Sequence, residues 1–169
     1  MIVLPYNRNT EAMALHEAQL RKPYIKTINH VHGELSEQRY TNGFITQHHV
    51  TEFFKREVPT LFVHASNYGR PSVGASDDFR VRLPRGIISI DVASAQVGLN
   101  ILRWTVMRRK LGQDYHVLAE LKPQESVIIH GYVTGFSWDQ KSGSCIYPEE
   151  TLPVEDLLRQ WKRLIVHAA

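Results

Sequence analysis

The sequence predicts a single α+β domain over residues 1–169, with a mixed, mostly antiparallel sheet and three to four helices, the last packed on the sheet. Three observations predict it. "FRVRLPRGIISIDV" alternates apolar and polar positions on both sides of a Pro84-Arg85-Gly86 turn, the pattern of paired strands. "VEDLLRQWKRLI" sets Val154, Leu157, Leu158, Trp161, Leu164 and Ile165 on one helical face. The chain has 169 residues, 43% hydrophobic and 22% charged, enough to bury one core without disulfides.

Taken in order, Thr10 and Glu11 open a helix over 11–22, which Pro23 stops. "YIKTINHVH" at 24–32 alternates well enough for a strand, and Gly33 begins a polar connection. Val50, Phe53 and Phe54 lie at i, i+3 and i+4 behind a Thr46 cap, so a short helix runs to Pro59. Leu61–Ala65 is a buried strand. Residues 67–78 are Asn, Gly, Pro, Ser and Asp with few apolar side chains, and form an exposed loop.

Strands follow at 79–83 and 87–90. Asp91 or Ser94 then caps a central helix, "SAQVGLNILRWTVMRRKLG", which Gly112 ends. Residues 115–120 and 125–136 are strands, Gly143 turns the chain, and "SCIY" returns as a short strand in a hairpin. Pro153 enters the C-terminal helix, with Glu155 and Asp156 at its positive end and Arg159, Lys162 and Arg163 facing outward. The expected architecture is a sheet covered on one face.

Composition narrows function. One cysteine, Cys145, allows neither an intramolecular disulfide nor a thiolate zinc cluster, and fits a cytoplasmic protein or a virion component. The sequence shows no secretion signal and no apolar run of membrane-spanning length. A net charge of +3 is too small to mark a nucleic-acid binder by itself, so clustering has to supply the signal. Arg80, Arg82 and Arg85 form one cluster, and Arg108, Arg109 and Lys110 another at a helix C-terminus, where the dipole favours cations anyway. Without Gly-x-x-x-x-Gly-Lys-Ser/Thr or Gly-x-Gly-x-x-Gly there is no phosphate cradle. His30 and His32 share a strand face that His48 or His49 could join, but no acidic motif accompanies them, so no metal and no cofactor are assigned.

Two strands end in histidine: "LFVHAS" carries His64 and Ser66, and "VIIHGYV" carries His130 and Tyr132. Two-residue spacing puts each pair on one strand face. The pairing resembles the His-x-Ser/Thr motifs of the two-histidine phosphoesterases, with Tyr132 where a Ser or Thr is expected. The resemblance implies general acid and base work by His64 and His130 on a phosphodiester, with Ser66 and Tyr132 as hydroxyl donors. "FVHAS" followed by "PRGIISIDV" is also similar to the strand pair of ASCH domains, a PUA-like family tied to RNA. That family's Gly-x-Lys-x-x-Glu-x-Arg element has no recognisable match, "HGELSEQR" being the nearest stretch, and the likeness is not carried further.

The leading expectation is a non-catalytic subunit of the phage or mobile-element kind that mediates protein–protein assembly, a homo-oligomer or part of something larger. The apolar "MIVLPY" would serve as an arm to another chain. The alternatives are an RNA- or DNA-binding protein using Arg80, Arg82 and Arg85, and a phosphodiester-cleaving enzyme using His64 and His130.

Overall fold

The structure is a computed structural model that describes residues 1–25, 33–63, 78–95, 101–106 and 112–166. Strand β1 (Ile2–Pro5) leads into α1 (Arg8–Ile25), and α2 (Gly33–Glu57) precedes β2 (Phe62–Val63). A meander of β3 (Phe79–Leu83) and β4 (Gly86–Ser94) is followed by β5 (Trp104–Thr105), then by the hairpin of β6 (Tyr115–Lys122) and β7 (Ser126–Thr134). The short α3 (Gly135–Gln140), β8 (Cys145–Ile146), a single turn of 3-10 helix at Pro148–Glu150 and α4 (Val154–Val166) complete the chain.

Six strands form one sheet in the order β1-β7-β6-β4-β3-β2, while β5 and β8 pair separately. Every neighbouring pair in the large sheet is antiparallel except β4 and β6. The α+β class, the mixed sheet and the docked C-terminal helix are therefore as expected.

The sheet is covered on both faces rather than one. Inward residues of alternate parity, among them Val81, Ile90, Val117 and Ile129, pack with Phe54 of α2 and Leu157 and Trp161 of α4 in the larger core. A second core on the opposite face joins Leu118 and Val133 to Trp104, Val106, Trp138 and Ile146. The sequence hid this second layer because Trp104 and Val106 fit a helical period. The stretch expected as a central helix over 94–112 is extended where it is described: β4 continues to Ser94, and Trp104 and Thr105 pair with Ile146 and Cys145. "SCIY" thus returns to β5 and not to β7, and residues 135–136, expected as the end of the strand over 125–136, open α3 instead.

The helices differ from expectation at their starts. Asn7 Oδ1, not Thr10, accepts the first free amides of α1, from Asn9 at 2.9 Å and Thr10 at 3.3 Å. The helix runs through Pro23 to Ile25, so the strand expected over 24–32 starts as helix, and the rest of it lies outside the described residues. α2 spans 25 residues, and Thr46 sits inside it with its hydroxyl donating to Asn42 O at 2.8 Å. Its buried face is partly polar, with Thr46, His48, His49 and Thr51 inside, so a search for apolar spacing found only its last turns.

"MIVLPY" is no arm: Ile2–Pro5 pair with Ile129–Ser126 of β7, and Leu4 is buried. Tyr6 N–H donates to Glu125 O, and antiparallel alternation then turns the backbone groups of Ile2 and Leu4 inward and those of Val3 and Pro5 outward. Pro5 has no N–H, so the outer edge offers few donors. Of the exposed loop expected over 67–78, only Asp78 is described. Its carboxylate accepts from Val92 N–H at 2.7 Å and Gln47 Nε2 at 2.5 Å, tying α2 to the meander.

Candidate functional site

The sheet face opposite α2 and α4 carries the polar chemistry. Reading across it, β3 contributes Arg80 and Arg82, β4 Ser89 and Asp91, β6 His116 and Glu120, and β7 His130. These side chains divide into a buried group, a group at the rim, and an exposed cationic end.

The buried group is Asp91 with His116, both without solvent exposure, His116 Nδ1 lying 3.2 Å from Asp91 Oδ2. The His116 ring stacks on Trp138 of α3, centroids 4.0 Å apart and planes 11° from parallel. Among the described residues, His116 Nε2 and Trp138 Nε1 meet no partner. Closed on all sides, the group locks α3 to the sheet and presents no reacting atom to a substrate. Sequence reasoning missed it because Asp91 was read as a helix cap. The signal was there: an acidic residue between Ile90 and Val92 in a strand needs a buried partner.

At the rim, Glu120 Oε2 lies 3.1 Å from His130 Nε2 and its Oε1 accepts from Lys122 Nζ, while the His130 ring packs on Trp104 with centroids 5.4 Å apart. Leu118 pairs with Gly131 but Ala119 pairs with Ile129, so His130 is the extra residue of a β-bulge. That bulge undoes the expected spacing. His130 faces Trp104, whereas Tyr132 lies in the opposite core, edge-on to Tyr115 at 5.7 Å. Burial there raises the Tyr132 hydroxyl above its ordinary pKa, with Tyr115 and Asp156 adding to the effect. The two do not share a face, which corrects the sequence expectation. His64 and Ser66 lie outside the described residues, and the strand before them, β2, is at the far end of the sheet order from the β1–β7 side that bears His130.

The cationic end is the β3–β4 hairpin. Residues 86–88 of β4 extend beyond its pairing with β6, while β2 runs beside β3 as far as Arg82, whose N–H donates to Leu61 O, so the turn between Leu83 and Gly86 forms the tip. Arg82 and Arg85 are exposed there, and neither has an acidic partner among the described residues. Arg80 is half-buried on the same strand face as Arg82, opposite Ser89. Arg108, Arg109 and Lys110 lie outside the described residues, as do His30 and His32.

His48 and His49 are buried between α1, α2 and β1, where each has partners that explain it. His48 Nε2 lies 2.7 Å from Glu17 Oε2. His49 Nδ1–H donates to Ile45 O at 2.8 Å and its Nε2 accepts from Asn7 N–H at 3.0 Å, which fixes the neutral tautomer. Among the described residues, no group of three or more His, Cys, Asp or Glu side chains is arranged to hold a metal. On the side of α2 and α4, a groove of about 550 Å³ is floored by Ile2, Phe53 and Leu158, and part of its charged rim is paired internally, Lys162 with Glu57 at 2.9 Å and the N-terminal amine with Glu155 at 3.3 Å. No helix described is long and apolar enough to cross a membrane. Comparison with family models, curated proteins and solved structures finds no match to this chain.

Proposed function

We propose that this protein binds nucleic acid through the phosphate backbone, using Arg80, Arg82 and Arg85, and catalyses no reaction. The observation that supports it is the β3–β4 hairpin, on which Arg82 and Arg85 are exposed with no acidic partner among the described residues while Arg80 lies on the same strand face as Arg82. Guanidinium groups suit this task because they remain charged and present a planar fork of donors to phosphate oxygens. A net charge of +3 leaves affinity dependent on this local cluster.

Fluorescence anisotropy with labelled oligonucleotides tests the reading. Affinity falls steeply with salt, and replacing all three arginines by alanine lowers the log–log slope by about 0.7 to 0.9 per lost phosphate contact. A slope unchanged by the triple substitution contradicts the reading.

The assembly reading has a narrower footing. Val3 on β1 and Met1 just before it are exposed, but the strand from which an arm was expected belongs to the protein's own sheet, and Pro5 blunts its free edge. A concentration-dependent mass in light scattering that Val3→Lys abolishes would restore that reading to first place.

A further inference from the structure

We infer that the preferred ligand is a single strand, with Phe136 as the platform on which a base stacks; the inference rests on the backbone-binding reading above. Phe136 is 76% exposed, an unusual position for a large aromatic side chain. It opens α3, whose other aromatic residue, Trp138, is buried against His116, so the helix is anchored and the phenyl ring stands outside it.

A chain of hydrogen bonds links the backbone just before Phe136 to the strand that pairs with Arg80. Gly135 N–H donates to Asp114 O at 2.8 Å, and Asp114 Oδ2 accepts from Ser89 N–H at 2.7 Å and Ser89 Oγ at 2.9 Å. Ser89 is the register partner of Arg80. Phe136 and the arginines therefore flank the same end of the sheet, and α3 docks on the face to which Arg80 and Arg82 point. Between β3 and β7 stand β4 and β6, so the separation is three strand spacings, about 14 Å.

A cationic strip on one side and an aromatic face on the other suit a strand whose bases are free to turn out. Duplex bases are already stacked and have no face to offer, while a single strand places phosphates on the hairpin and one base on Phe136. Because stacking is indifferent to base identity, the site discriminates by strandedness more than by sequence.

Anisotropy with short oligo(dT), oligo(U) and the matching dA·dT duplex tests this on the full chain, using Phe136→Ala, Phe136→Trp and the triple arginine variant. The expected result is that Phe136→Ala weakens single-strand binding about 5- to 100-fold and leaves duplex binding unchanged, while Phe136→Trp retains affinity. The three native tryptophans are buried, so the added indole emission reports the site directly and is quenched by a bound single strand. Comparing oligo(dT) with oligo(U) tells DNA from RNA. Equal binding of single strand and duplex that depends on the arginines and not on Phe136 overturns the stacking site and leaves backbone binding standing. Absence of binding to all three probes overturns both.

Discussion

His49 shows how one side chain carries the junction of three elements. It bonds Asn7 before α1, bonds Ile45 within α2, and stacks on Tyr6 with ring centroids 5.3 Å apart. Burial holds its pKa below the ordinary value of about 6.5, outweighing the opposing effect of the Ile45 carbonyl. The folded state then binds fewer protons than the unfolded state just below pH 6.5. Stability is therefore full above that pH, falls as the pH drops toward the depressed folded value, and levels off beneath it. Urea titrations from pH 7.5 downward should show the fall, and in His49→Gln the share due to this ring should vanish. Gly135 is a second residue under tight constraint. A Cβ there would stand 1.6 Å from Gln113 O, so Gly135→Ala must displace backbone and should lower stability by about 1–3 kcal/mol or more, measured as a shift of the urea midpoint. Neither constraint was legible in the sequence, since one depends on a carbonyl reached through the fold and the other on a helix with buried polar residues.

Among the elements, legibility followed the source of stability. α4 was plain because Val154, Leu157, Leu158 and Trp161 are buried at helical spacing. The β3–β4 meander was plain because Phe79, Val81 and Ile90 face one core and Arg80 and Arg82 the other way. The reach of α2 back to Gly33 was hidden because Thr46, which fits a cap, is an interior residue whose hydroxyl bonds Asn42 O, and the stretch 101–106 was misread because six residues fit a helix period and a strand equally well. The cap of α1 yields a prediction at this scale. Asn7→Ala removes the acceptor for two amides and should cost about 1 kcal/mol, read by thermal unfolding, whereas Thr10→Ala leaves those two bonds intact.

Across the whole molecule, β1 closes one side of the sheet, and Pro5 blunts its outer edge. Deleting residues 1–6 removes the buried Leu4 and uncovers the edge of β7, so the account expects a lower melting temperature and a gain of self-association. An arm that served other chains would give the reverse, a smaller species of unchanged stability. Among the described residues, the β3–β4 hairpin tip presents Arg82 and Arg85 exposed and without an acidic partner. The most direct measurement is the salt dependence of single-stranded oligonucleotide binding by the native protein beside its Arg80→Ala, Arg82→Ala, Arg85→Ala variant. The native protein should bind with a negative log–log slope, and the variant should lose about 2 units of it, at about 0.7 per phosphate contact on a single strand. Equal slopes for the two proteins, or no binding by the native protein at low salt, would contradict it.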